Sequence, residues 1–128
     1  MNLPEDLLYT ESHEWVRVEG SQAVLGITDY AQSQLKDIVF VEMPEIGSGF
    51  KKGDSLGVVE SVKTVSDLYS PISGKVVETN AMLKDRPQYV NEDPYGKGWM
   101  FRMEMDDPEE IKSLLSAQAY QGTLTEEG

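Results

Sequence analysis

The sequence predicts a mainly β domain, a small sandwich or barrel with helices at its periphery. Short runs rich in β-branched and aromatic residues recur through the first hundred positions, as strands require. Glycines and prolines interrupt these runs at close spacing, which favours antiparallel hairpins. The 128 residues fit one domain, residues 1–128, and can bury a core without disulfides, since the chain contains no cysteine.

The first part of the chain is predicted to form a hairpin, a short helix and a buried strand. Two β-rich runs in "EWVRVEGSQAVLGIT" flank a turn around residues 19–21. "DYAQSQLKD" predicts a helix near 29–36, which Thr28 or Asp29 can cap, and Asp29 and Gln32 have capping-box spacing. "IVFVEM" is apolar at nearly every position, so we expect a strand buried on both faces.

The middle of the chain is predicted to form a hairpin that carries Lys63 at its tip. The connection "PEIGSGFKKGD" is rich in turn residues and lacks the Gly-Lys-Ser/Thr run of a phosphate-binding loop. "SLGVVESV" and "VSDLYS" predict strands on either side of Lys63. "PISG" predicts a turn, with Pro71 at its second position and Gly74 at its end, before a strand in "KVVETN".

One amphipathic strand is predicted after a long loop. Prolines and glycines interrupt "AMLKDRPQYVNEDPYGKG", which favours a loop with one helical turn. "WMFRMEM" then alternates, so Phe101 and Met103 should share one face of a strand while Arg102 and Glu104 take the other. The apolar face should point into the core.

A C-terminal helix is predicted to begin at about residue 108. Asp107 suits the N-cap, Pro108 the first helical position and Glu110 the third. The apolar stripe of this helix would consist of Ile111, Leu114 and Leu115.

Charge and hydropathy exclude several classes of partner. The chain has 11 Lys and Arg against 23 Asp and Glu, for a formal net charge of −12, whereas nucleic-acid binding needs a basic surface. No apolar run approaches the roughly 18–20 residues of a membrane span. The acidic N-terminus "MNLPEDLLYTESHEW" lacks the features of a secretory signal. We therefore expect a cytoplasmic monomer that binds neither nucleic acid nor membrane.

The sequence offers little to an enzyme or a metal site. His13 is the only histidine, and on a strand its side chain would point away from that of Ser12, so a hydrolytic triad is not expected. A structural role for His13 is favoured. One histidine and no cysteine argue against zinc, and no group of carboxylates has EF-hand spacing. We therefore predict neither catalytic residues nor a metal.

Lys63 is the residue with the most distinctive setting. An isolated turn lysine is most often a solvated surface residue, but here β-branched Val62 and Thr64 flank it and extended arms lead to it. A lysine on a hairpin tip is accessible to a modifying enzyme. Acylation would remove its charge and convert its flexible stem into a neutral tether.

Six blocks of the chain resemble the H proteins of the glycine cleavage system. In order they are "SHEWV", "GITDYAQ", "VFVEMPEIG", "VESVKTVSDLYSPISGKVVETN", "VNEDPYGKGWM" and "IKSLLSAQAY". They cover the chain from about Tyr9 to Tyr120. The block around Lys63 is specific to lipoyl attachment, and the flanking blocks are specific to H proteins among lipoyl carriers. The chain departs from the family at Thr64 and Val65, where alanines are common, and at Tyr30, where histidine is common.

The resemblance implies a fold, a cofactor and a role. The fold would be a lipoyl-type barrel-sandwich hybrid of two antiparallel sheets, and lipoate would be held in amide linkage on Lys63. The protein would not be an enzyme but a carrier. It would take the aminomethyl group of glycine from the pyridoxal-phosphate-dependent decarboxylase (P protein) to the tetrahydrofolate-dependent aminomethyltransferase (T protein). Dihydrolipoyl dehydrogenase (L protein) would then reoxidise it, and a lipoate ligase or lipoyl transferase would load it.

The resemblance also assigns site residues. Ser12, Glu14 and Asp67 would line the cleft in which the loaded arm docks, and strand alternation from Trp15 would put Ser12 and Glu14 on the same side. From their positions, and not from the resemblance, Glu60, three residues before Lys63, and Gly74, at the end of the next turn, are predicted to contribute to recognition by the modifying enzyme.

Other readings of the lysine motif stay open at this point. The lipoyl domain of a 2-oxoacid dehydrogenase usually has Asp before its lysine and a flexible linker, whereas Val62 precedes this lysine. A biotin carrier has methionines around its lysine. An H-like protein that relays lipoyl groups to other enzymes is a further alternative, as is an unmodified β domain that mediates protein contacts. Intact mass separates lipoylated, biotinylated and unmodified chains.

Overall fold

The computed structural model describes residues 1–127, and most of their regular structure is β-sheet. Over this range the strands are β1 (Leu8–Tyr9), β2 (Glu14–Glu19), β3 (Gln22–Ile27), β4 (Ile38–Glu42), β5 (Gly49–Phe50), β6 (Ser55–Ser61), β7 (Val65–Tyr69), β8 (Gly74–Thr79) and β9 (Phe101–Met105). The helices are α1 (Asp29–Leu35), α2 (Met82–Asp85), α3 (Tyr89–Glu92) and α4 (Ala117–Glu127), with a 3₁₀ helix at Pro108–Ser113.

The strands form two sheets in which every pairing is antiparallel. One sheet has six strands in the order β1-β2-β3-β9-β8-β5, and the other has three in the order β4-β6-β7. The sheets do not close into a continuous barrel. The prediction of a mainly β fold with two antiparallel sheets and peripheral helices is confirmed.

The main core lies between the two sheets. Leu25, Phe101 and Met103 of the six-stranded sheet belong to the same apolar cluster as Val59 and Leu68 of the three-stranded sheet. The predicted alternation of "WMFRMEM" is confirmed, because the first, third and fifth residues of β9 are buried while the two between them are partly exposed. Each large apolar side chain buried in this way stabilises the fold by roughly 1.5–3 kcal/mol.

A second apolar cluster fixes α4 to the sheet. Tyr9, Trp15 and Tyr120 are fully buried in it, and the rings of Tyr9 and Tyr120 stack with centroids 5.0 Å apart. The indole N–H of Trp15 donates to the carbonyl of Pro94 at 3.0 Å, so the polar group of this buried ring has a hydrogen-bond partner. The C-terminal helix therefore packs against the strands next to the N-terminus.

The first hairpin and helix form as predicted. Glu19 pairs with Gln22 across a two-residue turn, and Gly20 adopts a φ of 65°, which favours glycine. Thr28 is the N-cap of α1, since its hydroxyl accepts a hydrogen bond from the N–H of Ala31 at 3.2 Å.

Strand β4 differs from its prediction. Ile38 and Val41 are buried, but Val39 and Phe40 are each 51% exposed. β4 is an edge strand, and its register with β6 shifts between Ile38 and Phe40. Such a bulge turns consecutive residues outward, so an unbroken apolar run did not mean burial on both faces.

The connections contain more regular structure than predicted. "PEIGSGFKKGD" includes the short strand β5, which pairs with β8. The loop after β8 holds two single-turn helices, α2 and α3, rather than one helical turn. Gly98 lies beneath α3, where an added Cβ would approach the carbonyl oxygen of Tyr89 to 2.8 Å.

The C-terminal helical region begins at Pro108 but as a 3₁₀ helix, and the α-helix starts only at Ala117. Asp107 caps the 3₁₀ helix as predicted, accepting from the N–H of Glu109 at 3.0 Å. Leu115 exchanges two backbone hydrogen bonds with Tyr9, of 2.7 and 2.8 Å, which requires extended chain there. This bridge to β1 interrupts the helix that the local sequence favours.

Candidate functional site

Lys63 lies at the tip of the hairpin formed by β6 and β7, as predicted. Ser61 stabilises this turn through three hydrogen bonds. Its N–H donates to the carbonyl of Thr64 at 2.8 Å. Its hydroxyl accepts from the N–H groups of Lys63 and Thr64 at 3.3 and 3.2 Å. Ser61 is buried. Our reading of the sequence did not identify this serine, although a hydroxyl two residues before a turn is a known turn signal.

The side chain of Lys63 is exposed. Within residues 1–127 its ammonium makes neither a hydrogen bond nor an ion pair, and Val62 beside it is 73% exposed. A modifying enzyme could therefore reach the amine without displacing another side chain.

A cavity of about 240 Å³ lies between the edge of β7, helix α1 and the turn that precedes β2. Ser12, Glu14 and Asp67 all line it, so the structure brings together the three residues predicted for the arm-docking cleft. Asp67 follows Lys63 by four residues, so their Cα atoms are at most about 14 Å apart. Apolar side chains form much of the remaining wall: Ile27, Leu35, Val59 and Leu68.

Glu14 is the buried carboxylate of the cavity, with 2% of its surface exposed. One carboxylate oxygen accepts from the hydroxyls of Ser12 and Thr10, each at 2.6 Å, and the other accepts from the N–H of Tyr69 at 3.3 Å. Burial raises the pKa of Glu14 above its ordinary value, and the hydrogen bonds from Ser12 and Thr10 oppose this rise in part.

A turn, and not strand alternation, brings Ser12 to Glu14. β2 begins only at Glu14, and His13 has a φ of 74°, outside the strand region. The expectation that Ser12 and His13 are consecutive strand residues was therefore wrong. The sequence reading also missed Thr10, whose hydroxyl accepts from the N–H of Glu14 at 3.0 Å while it donates to the carboxylate.

His13 forms part of the cavity wall and connects it to two helices. Its Nδ1 lies 2.7 Å from the hydroxyl of Tyr120 in α4, and that hydroxyl lies 2.8 Å from the hydroxyl of Thr28, the N-cap of α1. The ring of Tyr30 lies 4.9 Å from the His13 ring, centroid to centroid. These contacts support the structural role favoured for His13, which stays a prediction.

Glu60 and Gly74, the two residues predicted to aid modification, lie apart. Glu60 is on the outer face of β6, paired with Val65 one residue beyond the tip turn. Gly74 follows the end of β7 that is remote from Lys63 and is the first residue of β8, not the end of a turn. An added Cβ there would lie 2.2 Å from the carbonyl oxygen of Glu104, so glycine is needed for strand approach.

Two general features complete the description. Among the described residues, no group of three or more His, Cys, Asp or Glu is arranged to hold a metal ion. None of the helices in that part of the chain is long and apolar enough to cross a membrane.

Comparison with known proteins identifies the family. The profile of the family described as "Glycine cleavage H-protein" matches residues 7–127. The glycine cleavage system H protein of Anaeromyxobacter sp. (strain K) is 54% identical over 127 residues, 99% of each chain. That of Geobacillus kaustophilus is 56% identical over 126 residues, 98% of this chain and 99% of the relative.

A solved structure agrees with these sequence matches. The crystal structure of a glycine cleavage system H protein from Mycobacterium marinum superposes with a TM-score of 0.87 at 40% identity, covering 95% of this chain and 98% of that one. Fold, length and sequence therefore agree along nearly the entire chain. We conclude that this chain belongs to the glycine cleavage H-protein family.

Proposed function

We propose that the protein carries a lipoyl group on Lys63 and shuttles the aminomethyl group of glycine within the glycine cleavage system. The observation that supports this most directly is an exposed lysine tip within reach of a cavity lined by Ser12, Glu14 and Asp67. The protein is a carrier in this proposal and leaves catalysis to its partners. These would be the decarboxylase (P protein), the aminomethyltransferase (T protein), dihydrolipoyl dehydrogenase (L protein), and a lipoate ligase or lipoyl transferase.

The residues of this chain fit such a group. The amine of Lys63 is exposed and available for an amide bond, and the apolar wall formed by Val59, Leu68 and Ile27 suits a hydrocarbon arm. When bound, the lipoyl group supplies a disulfide whose reduced form can hold the aminomethyl cargo. The cytoplasmic location and monomeric state expected from the sequence stay predictions.

Glu14 would bind the cationic end of the cargo. An aminomethyl group ends in an ammonium, and the carboxylate oxygen that accepts only the 3.3 Å bond from Tyr69 has capacity for another donor. Ser12 and Thr10 hold the other oxygen at 2.6 Å and so fix the orientation of the carboxylate. An ammonium beside Glu14 would stabilise the charged form that burial disfavours.

The cavity would also restrict water. A carbon bonded to both nitrogen and sulfur is open to hydrolysis, which would release formaldehyde and ammonia. The side chains of Ile27, Leu35 and Leu68 line the cavity with apolar surface, and this surface would keep water from the cargo.

Replacing the proposed attachment residue tests the function. Lys63→Arg keeps the positive charge but offers no amine for acylation, so lipoylation should disappear while the fold persists. An exposed substitution of this kind changes the free energy of unfolding by less than about 0.5 kcal/mol. The measurement is the intact mass of wild type and variant after incubation with a lipoate ligase, lipoate and ATP. A lipoylated variant would mean that another lysine carries the group, and Lys75, also exposed, provides a matched Lys→Arg control.

A further inference from the structure

The turn that precedes β2 contains a residue in an uncommon backbone conformation. His13 has a φ of 74°, in the left-handed region that residues other than glycine seldom occupy. Such a conformation costs free energy and persists only where neighbouring contacts fix it. This turn also brings the hydroxyl of Ser12 to within 2.6 Å of the Glu14 carboxylate. The contacts that fix His13 therefore also position the two cavity residues on either side of it.

Two hydrogen bonds hold the main chain of His13. Its N–H donates to the carbonyl of Thr10 at 3.1 Å, and its carbonyl accepts from the N–H of Thr28 at 3.1 Å. These bonds restrain the peptide groups on either side of His13. They do not restrain the imidazole ring, which can rotate about its side-chain torsions. The ring is fixed by a contact of another kind.

That contact comes from the C-terminal helix α4. The hydroxyl of Tyr120 lies 2.7 Å from Nδ1 of His13 and 2.8 Å from the hydroxyl of Thr28, the N-cap of α1. Tyr120 is fully buried and its ring stacks on that of Tyr9, so the hydroxyl is held in place by the packing of its own ring. One hydroxyl therefore joins the turn before β2, the start of α1 and the C-terminal helix.

We propose that Tyr120 is a positioning residue for the aminomethyl cargo, acting from the C-terminal helix. Its hydroxyl holds His13 in the left-handed conformation, and this conformation keeps Ser12 aligned on Glu14. The proposal rests on the proposed function, in which Glu14 binds the ammonium of the cargo. Tyr120 is not among the residues that line the cavity, so it acts through the turn and not by contact with the cargo.

The test uses the full chain, lipoylated and then loaded with the aminomethyl group by the decarboxylase (P protein) and glycine. Tyr120→Phe keeps the stacked ring and removes only the hydroxyl. We expect loss of the cargo, followed by intact mass without aminomethyltransferase, to accelerate about fivefold, the factor that one typical hydrogen bond contributes. Tyr9→Phe is the matched control. It removes a buried hydroxyl from the same stacked pair, one that donates to the carbonyl of Pro4 at 2.6 Å, and it should leave the decay rate unchanged.

A double-mutant cycle separates positioning from a general loosening of the fold. In the Glu14→Gln background the carboxylate that Ser12 orients is absent, so adding Tyr120→Phe should change the decay rate by less than about twofold. A general loosening would accelerate decay by the same factor in both backgrounds. Urea unfolding of each variant gives the folded fraction, to which the decay rates are referred.

The ring of His13 gives a readout that needs no cargo. His13 is the only histidine of the chain, so its imidazole nitrogens give one set of NMR signals, which report the tautomer and the hydrogen bonding of the ring. Tyr120→Phe should shift the Nδ1 signal, whereas Tyr9→Phe should not. An unshifted Nδ1 signal would contradict the contact on which the proposal depends.

A second pair of variants tests the backbone conformation without changing the buried stack. His13→Val and His13→Asn both remove the ring, but a β-branched residue resists a positive φ and asparagine accepts it. His13→Val should therefore accelerate loss of the cargo more than His13→Asn does. Equal rates would mean that the left-handed conformation does not control the cargo.

The remaining outcomes separate this proposal from the proposed function. Unchanged decay in folded, loaded Tyr120→Phe would overturn the positioning role and leave the carrier function intact. Equal acceleration in both backgrounds, or by Tyr9→Phe as much as by Tyr120→Phe, would leave Tyr120 a structural role only. A wild-type chain that takes up no aminomethyl group once lipoylated would overturn the proposed function itself.

Discussion

At the scale of single residues, Glu14 is the buried carboxylate that lines the cavity. Its carboxylate is buried and oriented by Ser12, Thr10 and the N–H of Tyr69. Glu14→Gln removes the charge with little change in shape, so we expect lipoylation and fold to persist. Loss of the aminomethyl cargo should accelerate about tenfold or more, because a desolvated hydrogen bond to a charged group contributes roughly 1.5–3 kcal/mol. The measurement is the decay of loaded protein by mass, without aminomethyltransferase.

A neighbouring carboxylate provides the control for this experiment. Glu11→Gln makes the same change in net charge at an exposed position of the same turn, and it should leave the decay rate unchanged. Equal decay rates in wild type and Glu14→Gln would mean that Glu14 serves packing and not the cargo.

The sequence predicted the position of Lys63 but only part of its surroundings. Its place between two strands follows from β-rich runs on either side, which are local signals. Ser12 and Glu14 do come together, yet through a turn in which His13 takes a φ of 74°. Thr10 was missed because nothing in a single sequence indicates which hydroxyl a buried carboxylate will contact. Ser61 carried a recognisable local signal and could have been found.

At the scale of elements, the contact between β8 and β9 depends on Gly74. An added Cβ would lie 2.2 Å from the carbonyl oxygen of Glu104, so the strands must separate. We expect Gly74→Ala to lower the free energy of unfolding by about 1–3 kcal/mol, the usual cost of overpacking. Because Gly74 is remote from the tip of the β6–β7 hairpin, lipoylation should fall only as far as folded protein is lost. Urea unfolding and the lipoylation rate per folded molecule measure the two effects.

Strand β5, the neighbour of β8, offers the matched control. Gly49 pairs with Lys75, and an added Cβ there would meet only a backbone oxygen at 3.9 Å, an ordinary contact. Gly49→Ala should therefore cost far less than Gly74→Ala. A specific loss of lipoylation in folded Gly74→Ala would instead indicate that this glycine takes part in recognition.

Elements were predictable where local pattern and tertiary context agree. The alternation of β9, the first hairpin and the cap of α1 all follow from such agreement. The prediction that β4 is buried on both faces was wrong, because an edge position and a bulge expose Val39 and Phe40. Neither feature is visible in an apolar run. The C-terminal helix was placed too early because the contact of Leu115 with Tyr9, more than a hundred residues away, holds the chain extended.

At the scale of the whole molecule, the two-sheet architecture was predictable in class but not in strand order. The composition and turn spacing indicate several short antiparallel strands, while the order β1-β2-β3-β9-β8-β5 depends on long-range pairing. The cavity is likewise a product of assembly, since its wall combines the turn before β2, helix α1 and the edge of β7. Only the resemblance to a family brought Ser12 and Asp67 together before the structure did.

The protonation of Glu14 links the cavity to the stability of the whole molecule. Burial raises the pKa of this carboxyl in the folded protein above its ordinary value of 4.5, although hydrogen bonds from Ser12 and Thr10 lower it in part. The folded state therefore binds this proton more tightly than the unfolded state does. The stabilisation from Glu14 is greatest below the unfolded pKa and declines as the pH rises to the folded pKa.

Glu14→Gln removes this titration and keeps all other acidic groups. We expect the free energy of unfolding of wild type, minus that of Glu14→Gln, to decrease in urea titrations as the pH rises above the ordinary value of 4.5. A difference that stays constant or increases with pH would mean that burial does not raise the pKa of Glu14.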